Sequence, residues 1–397
     1  MTERWLVPLS DVAVDDELLG AVHETVSSGW WSMGPRVEEF EAAFADLCGT
    51  RHGFAVSSGT AALHLALLAA GCGPGDEVVL PSLNFVAAAN VVAHTGATPV
   101  LCDVCGPDDL NLDTRDLEAA LGPATKAVVV LHYGGHPCEM ERVLEITVPR
   151  GIAVLEDAAH APGAACGGRA CGSMGLAGCF SFFSNKNLPI GEGGMVVTDD
   201  DAFADRIRLL RSHGMTTLTW DRHRGHAHGY DVLEPGFNYR LDEVRASVGL
   251  VQLARLREGN SARARIVAGY RRALTAIEGL GMPFEDDPGT TPAHHLAVVL
   301  LPEDVSREHV RSLLAERRIQ TSVHYPPIHR FSAYAGSAGA RSLPQTDALA
   351  ERILTLPLFP HMSELQIELV VEGLVEAVWS ARATEPADAV PIGVAGR

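Results

Sequence analysis

Between residues 53 and 198, short apolar runs with no polar alternation take turns with helical stretches, and this pattern limits the fold more than any other feature. The runs are 53–56, 77–80, 98–102, 127–131, 152–155, 179–183 and 195–198. A strand with one wet face alternates apolar and polar residues, whereas one covered on both faces does not. Helical stretches at 60–70, 84–94, 113–121 and 138–150 fall between several of the runs. Strand and helix in turn predict an α/β fold of three layers, a mostly parallel seven-stranded sheet with helices on both sides. Ligands on such sheets bind beyond the carboxyl ends of the strands, so the post-strand loops are where chemistry is expected.

Outside this block, 15–28 and 35–47 read as helices, the second opening with Pro35 at a first-turn position. The loop between them carries Trp30 and Trp31, a pair that suits packing or the lining of a pocket. A helix is expected at 200–213. The polar stretch 214–236, rich in His and Gly, is longer than a compact domain usually keeps without a use. Sustained helical spacing over 242–277 suggests a helix bridging two domains. A strand at 294–301, a helix at 306–318 and a closing helix at 364–381 then predict a smaller α+β domain. The expected division is 1–255 for the large domain, 256–383 for the small one, and 384–397 for a disordered tail.

A formal charge of −19 on 397 residues argues against nucleic acid or an anionic membrane as partner, since both need basic patches. No apolar run reaches the length of a membrane-spanning helix, and the polar start MTERWLVPLS has no signal-peptide pattern, so a cytoplasmic protein is expected. Of eight cysteines only Cys102 and Cys105 have C-x-x-C spacing. With no second such pair a metal site is not expected; two packed thiols beside a strand end, or a redox pair, account for the spacing.

The cations are distributed oddly. Of 31 Lys plus Arg only two are lysines, Lys126 and Lys186. Lys186 follows an apolar run and precedes the glycine-rich turn GEGG. An amine that must form and break imines cannot be replaced by a guanidinium, which stays protonated. Lys186 is therefore a candidate Schiff-base lysine for pyridoxal phosphate, with an ordinary surface lysine as the alternative.

Other post-strand loops carry further candidates. Ser58, Gly59 and Thr60 open a helix after a strand, where free backbone N–H groups and hydroxyls suit a phosphate; a capped helix start explains them equally well. Asp157 sits at the end of the 152–155 run, either as a hydrogen-bonded structural carboxylate or as the group holding a proton on a pyridine nitrogen. Phe85 could stack on a flat heterocycle. Ser181 and Asn238 could reach a phosphate, Asn238 from a second subunit. His324, Tyr325 and His329, in VHYPPIHR, and Trp31 are substrate-side candidates, although loop histidines commonly face solvent.

Four stretches, SSGTAALHLALLAAGCGPGDEVVLPSLNFVAAANVV, VLEDAAHAPGA, FSFFSNKNLPIGEGGMVVTDD and FNYRLDEVRASVGLVQLARL, together resemble the DegT/StrS family. These are pyridoxal-phosphate-dependent keto-sugar aminotransferases with the fold of aspartate aminotransferase (fold type I), and the resemblance runs from about Gly29 to the closing helix. It implies that Lys186 forms the internal aldimine and shuttles the proton, and that Asp157 pairs with the pyridine nitrogen. It places His160 beside the phenolic oxygen and Phe85 on the ring. Ser58, Gly59, Thr60 and Ser181 would form the phosphate cup, completed by Asn238 of a partner in a homodimer with shared sites. Lysine at 186, where the family's 3-dehydratases carry His, favours amino transfer over dehydration, epimerisation or a purely regulatory role. The expected reaction is a ping-pong exchange from glutamate or glutamine to a nucleotide-linked keto sugar or keto-cyclitol. Pro189-Ile190 and the His-rich stretch from Trp220 to Tyr230 depart from the family pattern, which leaves the sugar's identity open.

Overall fold

The computed structural model describes residues 5–217, 220, 225, 229–336 and 341–384. All but the first residue of the expected tail at 384–397, and much of the His-rich stretch, lie outside the described residues. In chain order the strands of the first two thirds are β1 (His52–Val56), β2 (Glu77–Pro81), β3 (Thr98–Cys102), β4 (Thr125–Leu131), β5 (Ala153–Asp157), the two-residue pair β6 (Ala165–Cys166) and β7 (Arg169–Ala170), β8 (Ala177–Ser181) and β9 (Gly194–Thr198). All but β6 and β7 join one sheet in the order β1-β9-β8-β5-β4-β2-β3. Only β9 runs against its neighbours, β1 and β8. The other pairs are parallel.

Successive residues of these strands enter opposite cores, because side chains alternate faces. Val78, Leu80, Ala127, Val129 and Leu155 pack with the helices Gly59–Ala69 and Ala87–Thr95. Val79, Val128, Val130 and Val154 pack with the helices Pro35–Cys48 and Met140–Thr147. Both faces are dry, which is why the strands read as unbroken apolar runs. One of them shifts: residues 179–183 were expected, but β8 ends at Ser181. Phe182 is apolar because its ring packs against Phe40 and Phe44, at 5.3 and 5.2 Å, not because it lies in a strand.

A second core surrounds a two-stranded sheet. After β10 (Thr290–Thr291), which pairs with β6, come β11 (Ala297–Leu300) and β12 (Ile353–Leu356), antiparallel to each other. Ala297, Val299, Leu354 and Leu356 pack with Tyr270 and Leu274 of the helix Glu243–Leu274 and with Leu374 and Val378 of the helix Glu364–Thr384. Val298, Leu300 and Ile353 face Leu131 and Tyr133 at the end of β4. The expected strand at 294–301 is trimmed at its start, because the His295 N–H bonds Gly134 O instead of a ladder partner (2.8 Å). β12 had no place in the sequence expectation.

The helix Glu243–Leu274 spans both cores, and the division expected near residue 255 falls inside it. Gly249 lies against the Phe40 ring, where a Cβ would come within 2.8 Å. Of the C-x-x-C pair Cys102 is buried but Cys105 is exposed, so only one of the two thiols is packed. The long polar stretch has a paired stem: Met215 bridges Val232, and the Thr216 N–H donates to Asp231 O at 3.0 Å.

Gly34 provides no side-chain cap for the helix Pro35–Cys48. The buried Glu243 carboxylate supplies it from the long helix, accepting the Arg36 and Val37 N–H groups, each at 2.9 Å. Glu243→Ala removes both acceptors at a positive helix end, so a loss of about 2–3 kcal/mol is expected. Urea unfolding of the apoprotein checks it; an unchanged midpoint contradicts this capping role.

Candidate active site

The carboxyl ends of β1, β2, β5 and β8 open into a pocket of about 370 Å³. At its base three backbone segments nearly touch. A Cβ on Gly59 would stand 2.7 Å from the Ser181 Cβ, and one on Gly194 would stand 2.5 Å from Ser58 O. Ser58 caps the helix Gly59–Ala69 by accepting the Ala61 N–H at 3.1 Å. The first-turn N–H groups of Gly59 and Thr60 lie beyond the reach of intrahelical acceptors, as at any helix start, so the cup presents positive backbone dipoles.

Asn84 and Phe85 come from the loop after β2. Asn84 is buried and among the described residues neither its Oδ1 nor its Nδ2 has a partner, while Phe85 leaves a largely exposed ring on the wall. Asp157 is the last residue of β5, and β8 is the next strand in the sheet. That adjacency brings Asp157 and Lys186, from two successive post-strand loops, to the same pocket.

The carboxylate at the end of β5 could be structural or chemical, and the structure divides the roles between two residues. Glu156 is fully buried and accepts N–H groups from Gly172 (2.7 Å), Met174 (2.6 Å) and Gly175 (2.6 Å), with His132 Nε2 at 2.9 Å. Burial alone would raise its pKa, but His132 and these amides hold it below the usual value. His132 Nδ1 accepts the Cys138 N–H at 3.0 Å, so Nε2 carries the hydrogen given to Glu156. Asp157 has one backbone donor, Ala159 N–H at 3.2 Å, and its carboxyl is raised by burial against the pull of that amide and Lys186. Burial draws the Lys186 ammonium down to about 8, countered by Asp157.

A wall of imidazoles closes the pocket. His160 Nδ1 accepts the Gly134 N–H at 3.3 Å, which leaves the hydrogen on Nε2, 2.7 Å from the Tyr325 hydroxyl. The Tyr325 oxygen accepts that hydrogen, and its own O–H is directed elsewhere. His295 lies 4.5 Å from the His160 ring, and the Tyr133 hydroxyl bonds His324 O. Burial, with the Lys186 charge adding to it, pushes His160, His295 and His324 below the usual imidazole pKa; His324 is drawn to about 4. All three are buried, so the expectation that loop histidines face solvent is overturned for His324.

Ser58, Gly59, Thr60, Phe85, Asp157, His160, Ser181, Lys186, His324 and Tyr325 thus share one pocket. Trp31, His329 and Asn238 do not line it. Trp31 is exposed, with its indole N–H on Val26 O at 3.0 Å. His329 sits between Ser82 Oγ (2.7 Å) and Asp347 (3.0 Å). Asn238 is exposed and bridges Ser212. Cys179 and Glu192 line the pocket without having been singled out. The two-residue period of a strand could have found Cys179, which shares a face with Ser181. No sequence signal connects His295 to His160.

A dipole-lined cup, an aromatic wall, a buried amide, a carboxylate and a half-buried amine fit a flat, phosphorylated aldehyde such as pyridoxal phosphate. Gly59→Val would push the helix start off Ser181, a misfit of about 1–3 kcal/mol, so weakening of pyridoxal phosphate binding by about tenfold or more is expected. Titration of the apoprotein by absorbance measures this; unchanged affinity excludes the cup.

The model of the DegT/DnrJ/EryC1/StrS aminotransferase family matches residues 12–375. The spore coat polysaccharide biosynthesis protein SpsC of Bacillus subtilis (strain 168) is 42% identical over 382 residues, covering 94% of this chain and 98% of that protein. Among solved structures, the aminotransferase TlmJ from Streptoalloteichus hindustanus superposes with a TM-score of 0.88 at 36% identity, over 94% of this chain and 99% of that one. The PLP-form of the sugar aminotransferase Spr1654 from Streptococcus pneumoniae gives 0.87 at 26%, over 94% and 99%. With the sheet, the lysine pocket and a match over nearly its whole length, the chain belongs to the DegT/DnrJ/EryC1/StrS aminotransferase family.

Proposed function

We propose that this protein is a pyridoxal-phosphate-dependent aminotransferase that moves an amino group from glutamate or glutamine to a keto group on a nucleotide-linked sugar or a cyclitol. The observation that carries it is the meeting of Lys186 and Asp157 in one buried pocket at the ends of neighbouring strands. Family membership and likeness to a polysaccharide-biosynthesis protein support the sugar. Bound there, pyridoxal phosphate supplies an aldehyde that condenses with amines and a ring that takes up the electron pair released at the amine carbon.

The chain's own residues do the rest. The Gly59 and Thr60 amides and the Ser58 and Ser181 hydroxyls hold the phosphate. Asp157 keeps a proton on the ring nitrogen, which a carboxylate in low dielectric can do throughout a turnover. Phe85 covers one ring face. Lys186 Nζ, with its pKa drawn toward neutrality, accepts and returns the proton that moves at the amine carbon. Neutral His160 fixes Tyr325 so that its O–H can donate into the pocket.

The working unit is a homodimer in which Asn238 of one protomer completes the other's phosphate cup. Phe85, Phe183, Tyr230 and Leu233 are large and exposed, and the first two line the pocket, which supports an interface across its mouth. We take the chain to work in the cytoplasm, as two domains divided near residue 255. No described helix is long and apolar enough to cross a membrane.

Lys186→Ala, supplied with pyridoxal phosphate, should lose the visible absorption of the wild type and its borohydride-fixed label; a variant with unchanged absorbance rules out the covalent role. The neutral amine is the reactive form, so covalent uptake of pyridoxal phosphate by the apoprotein should rise about tenfold per pH unit below pH 8 and level off above. A rate flat from pH 6 to 9 contradicts a lysine so displaced. A panel of keto-sugar nucleotides and keto-cyclitols, with glutamate and glutamine, assigns donor and acceptor.

A further inference from the structure

Lys186 lines a second cavity, of about 450 Å³, bounded by Ser10–Asp15 near the start of the chain, by one face of the helix Glu243–Leu274, and by Pro360 and His361. Deep in it lies Arg263, which is 5% exposed. Among the described residues its Nε and Nη1 have no hydrogen-bond partner. Three other arginines of this helix are engaged otherwise. Arg245 holds Asp242, Arg255 holds Asp15 and Glu17, and Arg271 donates to the carbonyls of Met282, Pro283 and Phe284.

A guanidinium withdrawn from water without an anion is costly, and burial pulls Arg263 down to about 10. Gly259, one turn earlier, lies beside the guanidinium: a Cβ there would stand 3.5 Å from Nη1, in ordinary contact. His295, near Arg263, is buried and held neutral, with its Nδ1 on Asn187 Oδ1 at 3.0 Å, while His361 on the cavity wall pairs with Asp11 at 3.1 Å.

We propose that Arg263 binds the α-carboxylate of the amino-acid donor in this cavity, on the side of Lys186 away from the phosphate cup. The assignment rests on the aminotransferase function proposed above. A planar fork matches one carboxylate by two parallel hydrogen bonds. The cavity also carries acids, Asp11, Asp15 and Glu258, which nearly balance Lys186, Arg255, Arg263 and Arg265. Such a lining suits a zwitterionic amino acid. A pyrophosphate, carrying two or more negative charges, would meet these acids with too few free cations.

The test follows the bound cofactor's change from aldehyde to amine form in single turnovers. Each enzyme reacts with the amino-acid donor and with the amine that lacks only its α-carboxylate. Wild type should prefer the amino acid by about 100-fold or more. Arg263→Gln should lose most of that preference by slowing only the amino acid, and Arg263→Lys should recover part of it. The absorbance of the bound cofactor reports whether each variant is folded. A Gln variant that keeps the wild-type preference, or slows both amines alike, overturns the assignment. So does a wild type that never distinguished them, whatever the variants do. A wild-type cofactor spectrum that no amino acid shifts would instead remove the aminotransferase function itself, and this assignment with it.

Discussion

A half-buried lysine and a buried aspartate, brought together by two neighbouring parallel strands, are what the rest of the structure supports. Each would be costly alone: burial lowers the Lys186 pKa and raises that of Asp157, and each charge counters the shift of the other. The balance leaves an amine near neutrality beside a carboxylate with few other partners. Glu156 makes this possible by taking the structural work on itself. It ties β5 to the Gly172–Gly175 turn and to His132, so that Asp157, one residue on, is free to face the pocket.

The pocket's electrostatics follow from how its imidazoles are wired. His160 and His132 each accept a backbone N–H at Nδ1, and that single contact fixes the tautomer and directs the other nitrogen. A protonated His160 would turn a donor toward the Gly134 N–H. The wall thus adds no cation near Lys186, and hydrogen bonds pass from the backbone through His160 to Tyr325. Rigid positioning of this kind suits a site that must hold the same groups through two half-reactions.

The helix Glu243–Leu274 links this chemistry to the rest of the chain. Its first turn caps the helix Pro35–Cys48, its middle presents Arg263 to the cavity beside Lys186, and its last turns enter the second core. One continuous element therefore holds the cofactor pocket, the cavity beside Lys186 and the small sheet in fixed relation, which loops of the same length could not do.

The central sheet was legible in the chain because strands dry on both faces must be apolar throughout, and the helix starts because Ser58, Asp200 and Asp242 announce themselves as caps. Lys186 stood out because a chain that otherwise uses arginine had kept one amine beside a glycine-rich turn, and Asp157 because it ends a strand. What the chain alone could not reveal depends on distant segments meeting. The choice between Glu156 and Asp157 turns on amides from residues 172–175, the burial of His160, His295 and His324 on three separate loops packing together, and the state of Arg263 on its Nε and Nη1 finding no acceptor among the described residues. Local patterns encode which residues must be buried and where helices start. Hydrogen-bond partners, desolvation and the sharing of a charge between groups arise only when remote parts of the chain come within a few ångströms, because those energies fall off steeply with distance.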